Sequence, residues 1–490
     1  MLKLIYNHCG GGVMLTLKKR VLIIGGGPGG RFSYIALRRM GEKSLSIVMN
    51  EDPTVICSLP YSVGRKLIPG GPEEEVVDLA NSDRLPPEIV EDAIRGVITE
   101  LDAENHIARG MSTEGPFEIY FEKVLLAPGA VPWIPPVKGL LSDKEGYKQD
   151  LTEVMVGREY VSKEKLAENI FVMRGADDAR ALDAFAEKSG RAVVVGSGAI
   201  GLEVVEALHD RGLTVTLVEA LPHLIAAMDQ DMAEKVNDRL SEWGVSVYKN
   251  IQLTEVKPDR VILSDGREIE TDGVVFATGV RPNVTLAQSA GLSVERGIVV
   301  NEKMQSSHPD IYVVGDAAQI RDAVTGRPIL PLIGTLAMRQ GLVASFNIMG
   351  QTMSLPPATV WGLSAIFDLH WGSVGWTEEL ANASDIQAFS LTLPYYTREK
   401  AMPNGKEGLW KIIVSATDEK GLKKGQIIGF QVVIDGESPL FLTERFIDII
   451  TRRETVFELF SHYFVHSPYH NTVEDPYLML LFAAQEAMTH

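Results

Sequence analysis

The chain is predicted to be α/β, with two doubly wound units and a smaller α+β unit towards its C-terminal end. Three observations carry that expectation. Gly25-Gly26-Gly27-Pro28-Gly29-Gly30 directly follows the apolar run Val21-Leu22-Ile23-Ile24. Gly196-Ser197-Gly198-Ala199-Ile200-Gly201 directly follows Ala192-Val193-Val194-Val195. Beyond about residue 355 the pattern changes to alternating strand-like runs and amphipathic helices, with no third glycine-rich turn.

Each apolar run reads as a buried parallel strand leading through a tight turn into a helix. The first glycine makes the turn, the second admits a pyrophosphate close to the backbone, and the third packs helix on strand. A pyrophosphate then meets the positive end of the helix dipole. These are two Rossmann-like dinucleotide-binding domains. A chain that binds two dinucleotides is expected to pass electrons between them.

The elements follow in order. Met1 to Leu17 has no clear periodicity and is read as a loose extension that includes Cys9. From Lys18 come a strand, the glycine turn, a helix over Phe32 to Met40 and a strand over Leu45 to Met49. Val124 to Ala130, with Ala127 and Gly129, reads as another strand ending in a glycine turn. A segment rich in proline and charge follows from Val131 to about Glu168 and reads as a linker with an insertion. The second strand-turn-helix unit begins at Arg191, and its next strand ends at Glu219. Val274 to Gly279 closes it, and Ile311 to Asp316 returns to the first domain. Trp410 to Val414 and Ile427 to Ile434 read as strands, and Leu442 to Tyr463 and Tyr477 to Met488 as helices.

At 490 residues the chain exceeds one core. Its 45% hydrophobic and 23% charged content is that of a globular protein. A net charge of −18 argues against a nucleic-acid partner. No apolar stretch approaches the roughly 18 residues of a membrane span. Two cysteines make no disulfide framework, which points to a reducing cytoplasm.

With these motifs in this order the chain resembles the FAD-dependent pyridine nucleotide-disulfide oxidoreductases. The resemblance spans about Lys18 to Tyr477. It implies FAD at Gly25, Gly27 and Gly30, with Ala127, Gly129, Gly315 and Asp316 completing that site, the aspartate on the ribityl chain. It implies a nicotinamide cofactor at Gly196, Gly198 and Gly201, with Glu203 and Gly279 beside it. The implied domains are an extension (1–17), a discontinuous FAD domain (18–165 and 276–355), an NADH domain (166–275) and a C-terminal dimerisation domain (356–490), in a homodimer.

Around Cys57 the run Cys57-Ser58-Leu59-Pro60-Tyr61-Ser62-Val63-Gly64 is decisive within that family. Most members carry a second cysteine at the fifth position, where this chain has Ser62. It resembles the single-cysteine branch of coenzyme A-disulfide reductases, persulfide reductases, and NADH oxidases and peroxidases. There the sulfur cycles between thiolate and a mixed disulfide or sulfenic acid. Leu59 and Val63 around Pro60 suggest a helix starting just past Cys57, and a helix N-terminus favours thiolate.

Several positions depart from the family pattern. The usual ribose glutamate of the first domain falls on Asn50, with Glu51 next to it, and Glu51 is favoured as the carboxylate. In the second domain Glu219 is suited to the 2′-hydroxyl of NADH and repels the 2′-phosphate of NADPH. Arg38 and Arg39 match part of an arginine run that reads coenzyme A phosphates, but Ala36 and Ile56 do not. Proton donors are expected in the stretch from His462 to Pro476, where the resemblance points to His466 or Tyr469. His462, His466 and His470 could instead serve interface hydrogen bonds; no cysteine or clustered acids complete a metal site there, and no metal is expected. The expected activity is NADH-dependent reduction of small disulfides or persulfides. The alternatives are an NADH oxidase, a reductase of a small electron carrier, and a regulatory flavoprotein with a structural Cys57. A peroxidase is disfavoured, because the resemblance implies a histidine just after the first strand in that group and residues 25–30 here are only glycine and proline.

Overall fold

The computed structural model describes residues 5–9, 12–51, 56–75, 87–142 and 153–489. The chain divides into two compact units. The first comprises Met1–Lys188, Thr278–Ile320 and Pro328–Pro356; the second comprises Ser189–Ala277, Arg321–Arg327 and Pro357–His490.

In the first unit, five parallel strands run in the order Ala93–Asp102, Leu45–Met49, Val21–Ile24, Lys123–Leu126 and Ile311–Val313. Every residue of Val21–Ile24 and Leu45–Met49 is buried, as both-face coverage of a parallel sheet requires. The helix Pro28–Arg39 starts on proline, four residues earlier than the apolar periodicity suggests, because proline fits the first helical turn. It crosses the helix Gly334–Ile348 closely. A Cβ on Gly341 would lie within 3.0 Å of both Gly29 O and Ser33 Oγ, so only glycine permits this approach.

Two sequence expectations are corrected here. Residues 1–17 are not wholly a loose extension. Ile5–Cys9 and Gly12–Lys18 form an antiparallel pair, and Gly12–Lys18 joins Gly115–Tyr120 in parallel register, Leu15 opposite Phe117. The edge of Gly115–Tyr120 supplies backbone partners that no local periodicity announces. The Pro-rich stretch after Val131 is likewise not merely a linker. Ala130–Ile134, Glu153–Val156 and Glu159–Ser162 form a four-stranded sheet with Val280–Pro282.

In the second unit, parallel strands run in the order Gly273–Phe276, Arg191–Val195, Thr214–Val218 and Ser246–Tyr248. The helix Ala199–Asp210 follows the second glycine turn. Beyond residue 357 lies a five-stranded antiparallel sheet, ordered Trp361–Ile366, Leu369–Gly375, Ile427–Asp435, Glu407–Ser415 and Ala388–Tyr396. Helix Leu440–Thr451 packs on it through Phe446, whose ring stacks on Phe430 at 3.9 Å. The single helix expected over Leu442 to Tyr463 therefore stops early. Arg453 turns left-handed (φ 60), although apolar residues continue to Leu459. No helix among the described residues is long and apolar enough to cross a membrane.

Candidate active site

The two glycine turns have the same construction. A Cβ on Gly30 would fall within 3.0 Å of Gly25 O, and one on Gly201 within 3.0 Å of Gly196 O. The third glycine of each turn is therefore fixed by the turn's own first carbonyl. Gly25 and Gly196 both take positive φ, 113° and 101°. The middle glycines differ in kind. A Cβ on Gly27 or Gly198 would meet nothing within 4 Å. Each is the N-cap of its helix, and neither helix start carries a side-chain cap. Open space in front of uncapped amides is what a pyrophosphate needs. The residues present therefore fit two dinucleotides.

In the first unit Ala127 N donates to Ile24 O at 2.7 Å, placing the Ala127–Gly129 turn against the glycine turn. Gly129 (φ 67) and Gly315 (φ 81) bend the two segments, and Gln340 Oε1 accepts from Gly315 N at 2.7 Å. One residue escaped the sequence reading. Arg174 pairs with Asp316 at 3.0 Å and donates from Nε to Ala130 O at 3.1 Å. It thus ties together the segments around Gly129 and Asp316. Gly279 (φ 92) lies in this unit too, its carbonyl accepting from Trp133 N at 2.9 Å.

The acid at the end of the second strand differs between the units. Gly25 N bonds Val48 O just as Gly196 N bonds Val218 O. Ladder register therefore makes Met49 the first unit's equivalent of Glu219. Glu51 lies two residues further on, against Gly175, and burial pushes its carboxyl above the ordinary range, partly offset by Lys163 and Arg174.

Glu219 is buried and held by three donors. Oε2 accepts from Ser197 N at 2.8 Å and Ser197 Oγ at 2.6 Å, and Oε1 from Leu221 N at 2.8 Å. A carboxylate offers about four lone-pair sites, so one remains for a ligand hydroxyl. Glu203, also buried, accepts from Ser364 Oγ at 2.7 Å.

Cys57 is exposed and in no disulfide. It sits in the 3₁₀ turn Ile56–Ser58, directly before the helix Leu59–Gly64. Leu59 and Val63 are fully buried and anchor that helix. Ser62, at the fifth position, is fully buried, and its hydroxyl donates to Leu59 O at 2.6 Å. Arg65 ends the helix left-handed (φ 60) and pairs with Asp183 at 2.6 Å.

Arg38 is committed to an ion pair with Asp92, which also accepts from Tyr34 OH at 2.6 Å; Arg39 is exposed. His462 pairs with Glu454. His466 and Tyr469 are exposed, and the Arg398 guanidinium lies 4.6 Å over the Tyr469 ring. Among the described residues one group could offer three metal ligands within 4.8 Å, namely His106, His308 and Asp310. Lys123 and His106 both pair with Asp310, so the ion pairs account for this group.

A paired set of glycine turns, each leading into a helix with no side-chain cap, with an exposed cysteine in the first unit, defines a two-dinucleotide oxidoreductase. Residues 19–339 match the profile of the family described as pyridine nucleotide-disulphide oxidoreductase, and the chain belongs to that family. Proteins of this family use FAD and NAD(P)H. The chain is 30% identical over 482 residues to an NADH oxidase of Methanocaldococcus jannaschii, covering 96% of this chain and 98% of that protein. It is 26% identical to an NAD(P)H coenzyme A polysulfide/persulfide reductase of Pyrococcus horikoshii, covering 85% and 89%. The solved NAD-dependent persulfide reductase from A. fulgidus superposes with a TM-score of 0.84 at 25% identity, over 96% of this chain and 84% of that one.

Proposed function

We propose that this flavoenzyme reduces low-molecular-weight disulfides or persulfides with NADH, as a cytoplasmic homodimer whose C-terminal domain forms the interface. The observation that carries the reading is the exposed Cys57 at a helix start with Ser62 buried at the fifth position. No internal disulfide can form between these positions, so an incoming sulfur must be the partner of Cys57.

In this reading Gly196, Gly198, Gly201 and Glu219 hold NADH, with Glu203 beside it. Gly25, Gly27, Gly30, Ala127, Gly129, Gly315 and Asp316 hold FAD, and Asn50 or Glu51 takes the ribose. Bound FAD supplies the two-electron relay between nicotinamide and sulfur. Cys57 as thiolate attacks R–S–S–R′, forming the Cys57–S–S–R bond and expelling R′S⁻. His466 or Tyr469, contributed across the dimer, gives that thiolate its proton. Two electrons from NADH then cleave the mixed disulfide, releasing RSH and restoring the Cys57 thiolate. Arg38 and Arg39 were expected on coenzyme A phosphates. With Arg38 committed to Asp92, Arg39 is the exposed member of the pair, and the thiol is left unassigned.

Rapid mixing of the purified enzyme with NADH, and then with a persulfide or a disulfide, tests this. Fast reoxidation by the sulfur compound and slow reoxidation by oxygen is the expected result. The similarity to the NADH oxidase over nearly its whole length favours a second reading, in which Cys57 cycles through sulfenic acid and oxygen is the acceptor. Reoxidation by oxygen that outpaces every sulfur acceptor would establish that reading instead.

A further inference from the structure

The turn from Val465 to Thr472 carries hydrogen bonds that settle where a proton sits. His466 Nδ1 lies 3.2 Å from Asn471 Oδ1 and 3.1 Å from Thr472 O. The orientation of the Asn471 amide follows from its other two bonds. Its Oδ1 accepts from Ser467 N at 3.0 Å, and its Nδ2 donates to Val465 O at 2.7 Å. A flipped amide would set N–H against N–H and carbonyl against carbonyl. Oδ1 therefore faces the imidazole, and Nδ1 meets two acceptors and no donor.

We propose that Asn471 is a positioning residue that, with Thr472 O, holds His466 as its Nδ1–H tautomer, so that Nε2 is the nitrogen that exchanges protons. A neutral imidazole carries one N–H, and two carbonyl-type oxygens at Nδ1 decide which nitrogen bears it. Nε2 then accepts a proton from water and delivers it as imidazolium Nε2–H to a departing thiolate, leaving the neutral Nδ1–H ring and a thiol. Among the described residues Nε2 of His466 has no protein partner, and the residue is exposed.

The neighbouring histidines lack this arrangement. His470 Nδ1 faces the Ser467 hydroxyl at 3.3 Å, and a hydroxyl both donates and accepts, so no tautomer is imposed. His462 has Nε2 on the Glu454 carboxylate, which occupies the nitrogen a donor would use. The turn is itself anchored from outside, since Glu399 N donates to Pro468 O at 3.2 Å and the Glu399 carboxylate accepts from Val473 N.

The tautomer stands on this geometry alone; its catalytic meaning rests on the proposed role of His466 as proton donor. The experiment uses full-length, flavin-loaded enzyme labelled with ¹⁵N-histidine. Long-range ¹H–¹⁵N correlation identifies the protonated ring nitrogen, with His466→Gln assigning the signal. Expected is a protonated Nδ1 and a bare Nε2 in the wild type above the histidine pKa. Asn471→Leu should bring up an Nε2–H population and lower kcat at least ~10-fold with a high-pKa leaving thiol, leaving KM unchanged. Asn471→Asp keeps the acceptor towards Nδ1 but loses the Nδ2 donor to Val465 O. It should retain Nδ1–H and recover part of the kcat that Asn471→Leu loses. The charged groups on and against this turn, Arg398, Glu399, His470, Glu474 and Asp475, are common to all of these proteins. A wild type protonated at Nε2 overturns the tautomer assignment whatever the kinetics. A wild type protonated at Nδ1, with Asn471→Leu at full kcat towards the high-pKa thiol, overturns the positioning role by removing His466 from proton transfer. The wild-type spectrum decides the first point even where Asn471→Leu does not fold.

Discussion

Substituting Gly27 and Gly30 separates what a glycine does for a ligand from what it does for the fold. Gly27 has φ −68 and ψ −179, a conformation open to any residue, and a side chain there meets no protein atom. Gly27→Val should therefore change the stability of flavin-free protein by no more than about 0.5 kcal/mol, or about 2 °C in Tm. Its branched side chain would occupy the space before the helix amides. Each amide bond to a charged oxygen contributes about 1.5–3 kcal/mol. Losing two costs about 3–6 kcal/mol, so FAD affinity should fall by ~10²–10⁴-fold at 1.4 kcal/mol per decade. Gly30→Ala should behave in the opposite way. Its Cβ would sit within 3.0 Å of Gly25 O, a backbone atom that cannot rotate aside. Overpacking of this kind costs about 1–3 kcal/mol, a Tm loss of ~2–12 °C without flavin. Flavin-to-protein ratio after gel filtration and calorimetry of the stripped proteins read both effects. Stoichiometric FAD on Gly27→Val, or a collapse of its flavin-free Tm, would refute the reasoning.

Three further outcomes follow from the same geometry. Glu219→Ala should narrow an NADH preference over NADPH of at least ~10-fold in kcat/KM, because the carboxylate beside Ser197 would no longer repel a 2′-phosphate; equal use of both cofactors by the wild type sinks the assignment. Cys57→Ser should abolish disulfide and persulfide turnover while NADH still bleaches the flavin, and persulfide reduction at the wild-type rate would show the sulfur to be structural. Glu51→Gln should raise Tm at pH 7 and leave it unchanged near pH 4, measured by calorimetry across pH. Its raised folded pKa makes the carboxyl favourable below the ordinary carboxylate range and costly as pH rises through the folded value. A lower Tm at pH 7 would mean that the contacts with Lys163 and Arg174 outweigh the burial.

What was legible in the sequence is what local geometry dictates. The third glycine of each turn clashes with a carbonyl five residues earlier, so the constraint lies inside the motif that reveals it. The helix after Cys57 was equally local, since Leu59 and Val63 bury the same face. Arg174 was not legible, because its partner Asp316 is 142 residues away and nothing around either residue marks the pair. The sheet formed by Ala130–Ile134, Glu153–Val156 and Glu159–Ser162 was missed for a related reason. Its strands are four or five residues long, too short for a period to show, and they are fixed by pairing rather than by pattern. The end of helix Leu440–Thr451 was hidden by apolar residues that continue past it, where one left-handed residue, Arg453, redirects the chain.

The two turns agree in the positive φ of the first glycine, the open space at the second and the close approach of the third, and they differ in the side chains around them. Beside the first turn the strand ends in Met49, whose side chain fills the space that a Cβ on Gly26 would take. Beside the second turn the strand ends in Glu219, and Ser197 stands where Gly26 stands in the first. The residue between the first two glycines and the residue at the strand end are thus chosen together. An apolar strand end requires glycine, whereas a carboxylate makes use of a hydroxyl and an amide. The second turn therefore comes with a carboxylate already oriented by the motif itself, and the first does not. In the first unit the fixed charges lie elsewhere, on Arg174 and Asp316, held on segments far apart in sequence. A motif search that demands an acid after the second strand would find the second turn and score the first as defective, although the two are built alike on their glycines.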